Sequence, residues 1–199
     1  GCLSTPNLPR FEGLDRFEGD WYHTGFWPKE GVDFTGKRVG IIGTGSSAIQ
    51  SIPVIAAQAD HLTVFQRTAN FSIPAWNGVI SDEAERAWKK AYPELRARAR
   101  VSPVGATFDA PDISALDFSD ADRDAIFETR WNQGAFNFLA AFNDLMSSKE
   151  ANKYAVEFVH RKIHERVRDP AVAELLCPKD RPLGTNRLCV DTDYHETYN

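Results

Sequence analysis

The chain has 199 residues, 42% hydrophobic and 26% charged, an ordinary globular composition with length for one large domain or two small ones. A net charge of -5 leaves no basic stripe for nucleic acid, and the short basic run from Glu94 to Arg100 reads as the solvated face of a helix. No apolar stretch is long enough to span a membrane and no signal-like leader is visible, so the expected location is cytoplasmic and no membrane partner is anticipated.

Residues 1–37 are rich in proline and glycine, and the extended pieces around Ser4, Pro6 and Pro9 suggest a connector between domains. Inside it, Phe17 to Pro28 (FEGDWYHTGFWP) packs five aromatic rings, one histidine and two glycines into a stretch with neither helical nor strand period. It is either a loop whose rings pack on a core or a joint between larger units. The pattern then changes. An apolar run from Val39 to Ile42, a glycine turn, an amphipathic helix over about Ser46 to Ala59 and a second run from Leu62 to Phe65 make a β-α-β unit.

From about Ser81 to Leu176 the signals are mainly helical. Ser119 with Asp120 and Asp122 predicts an N-cap, and Asp169-Pro170 predicts a cap with proline at the first helical position. The aromatic stretch Trp131 to Met146 reads as core. His160 and His164 stand one helical turn apart, but without a glutamate of the HExxH kind or an evident third ligand they read as a solvated face. Cys2, Cys177 and Cys189 are odd in number and lack CxxC spacing, so buried reduced thiols are expected and no metal site.

The chemistry concentrates in Gly43-Thr44-Gly45-Ser46-Ser47-Ala48, a G-x-G-x-x-A turn directly after a strand and opening a helix. Gly43 permits the tight turn, Gly45 lets backbone N–H groups approach a pyrophosphate, and Ala48 allows close helix–strand packing. The helix N-terminus favours an anion. At the end of the second strand, where an NAD-binding unit carries an acid, stand Gln66, Arg67 and Thr68. A planar guanidinium and a hydroxyl there suit a ribose 2′-phosphate, so the expected coenzyme is NADP.

Phe17, Gly19, His23, Trp27 and Pro28, with Thr24 between them, resemble the FxGxxxHxxxW[PD] signature of the flavin-dependent Baeyer-Villiger monooxygenases, of the cyclohexanone and phenylacetone monooxygenase type. The resemblance extends to the GTGSSA turn, to VFQRTANFSIPAWN and to the distal CPKDRPLGTNRLCVDTDYHETYN. It implies an α/β fold: a Rossmann-type NADP-binding unit with a helical insertion, within a flavoprotein of two dinucleotide domains. Residues 1–35 would end the FAD-domain segment and form the interdomain linker, 36–80 the NADP-binding βαβ unit, 81–180 the insertion, and 181–199 the return to the NADP domain. The chain begins at Gly1 and ends just after DTDYHETYN, which reads as an internal piece, so further segments of the same enzyme are expected on both sides. Its sheet would then expose apolar surface.

The resemblance further implies FAD and NADP as cofactors, and a small-molecule ketone and O2 as substrates. NADPH would reduce the flavin, and a C4a-peroxyflavin would insert one oxygen atom beside the carbonyl to give an ester or lactone. Arg187 matches the family's active-site arginine, and His23 would be a hinge residue. Asn186 departs from the lysine common before that arginine and brings no charge to a 2′-phosphate. Two alternatives stay open: an N- or S-oxygenating flavin monooxygenase, and a non-oxygenating NADPH-binding redox module.

Overall fold

The computed structural model describes residues 5–102, 105–107 and 111–199; Cys2 and Ser4 lie outside them. Strands β1 (Arg38–Ile42) and β2 (His61–Phe65) are built from β-branched and apolar residues and pair in parallel, Arg38 opposite His61 through to Ile42 opposite Phe65. Helix α1 (Ser46–Ala56) joins them, with Ile49, Ile52 and Ile55 spaced to lie on one buried face. That face covers the side of the strands bearing Val39, Ile41, Leu62 and Val64. The other side is bare: Ile42 is 70% exposed and Phe65 57%. Because strand side chains alternate between faces, one covering helix can bury only half of each strand. The helix stops three residues before Ala59, as Gln58 turns back to the Ile55 carbonyl at 3.0 Å.

The sequence signals miss two short strands, β3 (Ser72–Pro74) and β4 (Cys189–Asp191). They pair in parallel from opposite sides of the helical region, with Ser72 opposite Cys189 and Pro74 opposite Asp191, and α1 rests on β4. Strands of three residues carry no readable period, which is why the pattern leaves them out.

Between β3 and β4 run α2 (Asp82–Val101), α3 (Asp120–Gln133), α4 (Lys149–Arg166) and α5 (Pro170–Leu176). Their starts are set by local chemistry. Ser119 accepts a hydrogen bond from the Asp122 amide at 3.2 Å, Ser148 accepts from Ala151 at 3.2 Å, and Asp169 accepts from Ala171 at 2.8 Å beside Pro170. α2 buries no residue, so the Glu94–Arg100 run is solvated as its composition predicts. The core sits where α3, α4 and the 3-10 segment Ala135–Ala140 meet. Phe127 packs on Phe138, Phe142 and Phe158 with ring centroids 5.3, 5.1 and 5.3 Å away, and Trp131 closes the cluster. Each such pair adds about 0.5–1.5 kcal/mol beyond the area buried.

A buried polar network locks β3 and β4 to α4. Asp191, 1% exposed, accepts from Ser72 Oγ and from Arg166 Nη2, the latter at 3.1 Å. Arg166 also donates to Glu196 through Nε at 2.6 Å and Nη2 at 2.8 Å. Burial opposes the Arg166 charge, yet Glu196 and Asp191 outweigh it and hold the guanidinium pKa above its ordinary value. Beside them His195 is wholly buried, and burial with the Arg166 charge pushes its pKa down to about 4. Arg166 Nη1 lies 3.2 Å from His195 Nδ1, so Nδ1 accepts and Nε2 carries the proton, without a partner among the described residues.

Candidate coenzyme-binding site

The glycine turn is shaped by its backbone before any ligand is considered. Gly43 has φ +96°, a left-handed conformation that L side chains adopt rarely, and its amide donates to the Phe65 carbonyl at 2.9 Å. Gly45 caps α1 with φ -78° and supplies no side-chain acceptor, so the first-turn amides of Ser46, Ser47 and Ala48 have no capping side chain. A Cβ at Gly45 would meet no atom of this chain within 4 Å. Neither backbone angle nor internal packing therefore demands glycine at 45, whereas the close approach of an outside group would. Ala48 is packed against the core side of the helix.

Two further hydrogen bonds clasp this turn to the segment after β2. Thr44, 4% exposed, donates from Oγ1 to the Thr68 carbonyl at 3.1 Å, and Asn70 Nδ2 returns to the Thr44 carbonyl at 2.6 Å. The Thr44 side chain is therefore engaged in holding the turn. Asn70 lies within the VFQRTANFSIPAWN stretch, but its part in holding the turn shows only in its closure on Thr44, 26 residues back. Gln66 donates from Nε2 to the Leu175 carbonyl at 2.7 Å, which ties the turn to α5, while its Oε1 is buried without a partner among the described residues. Arg67 is exposed, and no described residue is hydrogen-bonded to it or ion-paired with it.

The GTNR loop approaches from the other chain segment. Gly184 has φ +89°, and the Thr185 amide donates to the Pro182 carbonyl at 3.3 Å to close the turn. Buried Leu188 and Cys189 anchor the C-terminal end of the loop, while Asn186 and Arg187 are exposed. Cys189 donates its amide to the Phe71 carbonyl at 3.0 Å, so the parallel pairing of β3 with β4 brings Gln66–Asn70 and Gly184–Arg187 in at the same end of the two strands. The fold thus clasps the glycine turn to the segment carrying Gln66, Arg67 and Thr68, and sets the loop with Asn186 and Arg187 ahead of β4, at the end of the strand pair where that segment enters β3.

The signature stretch lies on the outer side of α1. His23 Nδ1 accepts from the Gly25 amide at 3.1 Å and opens a single 3-10 turn, Thr24–Phe26. Trp27 sits between Tyr22 and Phe34, at ring separations of 5.8 and 6.1 Å, and the Pro28 carbonyl accepts from Gly31 at 3.1 Å. Phe17 is 59% exposed, its ring lying over Gly19. A cavity of about 620 Å³ separates Thr24, Trp27 and Phe34 from Ser47, Gln50 and Val54 of α1, so it opens next to the free helix terminus.

The cysteines and histidines sort differently. Cys177 and Cys189 are buried free thiols; burial, with the Glu174 charge, pushes Cys177 up to about 11. His164 faces solvent, but His160 does not: its ring stacks on Phe71 at 6.2 Å and its Nε2 meets the Pro178 carbonyl at 2.8 Å. The expectation of two solvated imidazoles therefore holds for one of them. Among the described residues no helix is long and apolar enough to cross a membrane.

The strand–glycine turn–helix unit, with its clasp and exposed cations, defines a dinucleotide-binding segment of an α/β protein. No family model matches the chain. It is 40% identical over its full length to cyclohexanone 1,2-monooxygenase from Acinetobacter sp and 38% identical to phenazine N-monooxygenase PhzNO1 from Lysobacter antibioticus. Among solved structures, an oxidised steroid monooxygenase bound to NADP is 51% identical and superposes with a TM-score of 0.93 over 98% of this chain. The chain is homologous throughout to a segment of the flavin-dependent Baeyer-Villiger monooxygenases. It spans 36%, 37% and 37% of those three proteins respectively.

Proposed function

We propose that the chain forms the NADP-binding portion of an FAD-dependent Baeyer-Villiger monooxygenase, in which one oxygen atom of O2 enters beside a ketone carbonyl to give an ester or lactone. The observation that carries this reading is the uncapped α1 terminus, clasped by Thr44 and Asn70 to a segment that presents an Arg67 unpaired among the described residues. These residues fit NADP. The Ser46, Ser47 and Ala48 amides would hold the pyrophosphate, Arg67 and Thr68 the 2′-phosphate, and Asn186 one uncharged hydrogen bond. When bound, NADPH supplies hydride and the flavin supplies the chemistry of oxygen activation.

The protein's own contribution is positioning and charge. The clasp sets the glycine turn before the coenzyme arrives, so ordering costs less on binding. A guanidinium carries its charge permanently, and at Arg187 it stabilises negative charge developing on oxygen without surrendering a proton. The stretch from Phe17 to Pro28, His23 included, acts as the joint between the FAD part within 1–35 and the βαβ unit of 36–80. Residues 81–180 are an insertion in that unit, and 181–199 return Arg187 to it. The working location is the cytoplasm.

N-oxygenation is the second reading, favoured specifically by the 38% identity to phenazine N-monooxygenase. Trp27-Pro28 and the GTNR loop weigh toward ketone oxygenation. Product analysis of the full-length enzyme with NADPH, O2 and either a cyclic ketone or an aromatic nitrogen heterocycle separates the two. Ester or lactone as the main product supports the proposal; N-oxide without ester overturns it.

A further inference from the structure

The last turn of α4 and the end of α5 bring together three donors of different chemistry that the coenzyme site does not use. His164 Nε2 lies 3.2 Å from Glu174 Oε2, and the Cys177 sulfur joins them, all three atoms lying within 4.8 Å of one another. Glu174 lies in the last turn of α5 and Cys177 is the residue that caps it, and both side chains reach His164 of α4. His160 is the outer support. Its contact with the Pro178 carbonyl at 2.8 Å fixes the chain directly after Cys177.

We propose that His164, Glu174 and Cys177 form a site for Zn2+ or a similar borderline-soft divalent cation. Imidazole, carboxylate and thiolate in one cluster match zinc rather than magnesium or calcium, which take oxygen ligands. Metal–ligand bonds of about 2.0–2.3 Å put tetrahedral donors about 3.5 Å apart, so the widest pair must close by about 1 Å. His164 and Glu174 are 41% and 56% exposed and can rotate to do so. Three protein ligands leave a fourth position for water, which faces solvent. Lys179 Nζ, 2.6 Å from Glu174 Oε1, is the cation that metal displaces from that carboxylate. The Cys177 thiol proton passes to solvent on binding. Occupancy pins the end of α5, whose Leu175 carbonyl receives Gln66 of the coenzyme edge.

The test uses Co2+ as a spectroscopic probe and Zn2+ in competition with a chromophoric chelator, on the purified full-length protein kept reduced with a phosphine. One Co2+ per chain with a thiolate-to-metal charge-transfer band is expected, displaced by Zn2+. His164→Gln, an exposed position that leaves the fold intact, weakens binding by about tenfold or more, and Cys177→Ser abolishes the charge-transfer band. Lys179→Met tightens binding, an effect that misfolding cannot mimic. Absence of the thiolate band, equal affinity in wild type and His164→Gln, or weaker binding in Lys179→Met overturns the site.

Discussion

The coenzyme edge and the helical core show opposite solutions to polarity. At the edge, Arg67 and Arg187 are exposed and unpaired among the described residues, the α1 amides are uncapped, and Ile42 and Phe65 face outward. In the core, Phe127 is sealed among three rings and even the charged Arg166 and Asp191 are paired inside. Stability is concentrated in one region and unsatisfied binding capacity in the other, as expected of a molecule whose site must accept a charged ligand.

Substitutions that separate these roles should differ in size accordingly. Phe127→Ala removes the hub of the aromatic cluster and should cost about 3–5 kcal/mol in urea unfolding; a loss under about 1 kcal/mol would mean that the cluster is not the core. The next largest effect depends on pH. His195 binds its proton near pH 4 when folded but near 6.5 when unfolded, so the unfolded state holds more protons between those values. Its contribution is fully present above pH 6.5 and falls away as pH drops through 4, by roughly 3 kcal/mol at most. Comparing unfolding of wild type and His195→Phe across that window should show a shallower fall in the variant; parallel curves would contradict the buried neutral imidazole.

Smaller effects are expected at the edge. Asn70→Ala breaks the clasp on Thr44 and should cost about 1 kcal/mol while also weakening coenzyme binding. Unchanged binding would show that the clasp does not set the turn. Arg187→Ala should leave stability within about 0.5 kcal/mol of wild type. In the full-length enzyme it should retain NADPH oxidation but lose ester formation, and retained ester would remove Arg187 from the reaction.

Features coded locally were legible in the sequence. The GTGSSA turn announces itself because strand, turn and helix lie within a dozen residues, and the fingerprint fixes where to look for Arg67. The caps at Ser119 and Asp169 need only a few neighbouring residues. The features that stayed hidden depend on long-range closure. β3 and β4 are too short to show a period and meet only after the helical region has folded back. That pairing buries Asp191, in a stretch that reads as polar, beneath Arg166 of a distant helix. The inward turn of His160 and the proximity of His164 to Cys177 likewise depend on the packing of α5 against α4. Asn70 stayed hidden for the same reason: its hydrogen bond to the Thr44 carbonyl spans 26 residues of chain.

The coenzyme preference set by Arg67 tests the NADP assignment most directly. NADPH and NADH affinities are to be measured side by side for wild type and Arg67→Ala by equilibrium titration on the full-length flavoprotein. Loss of a charge-assisted bond to the 2′-phosphate should weaken NADPH by tenfold or more, equivalent to at least about 1.4 kcal/mol, and leave NADH nearly unchanged. Equal losses for the two coenzymes would contradict the assignment of this edge to NADP.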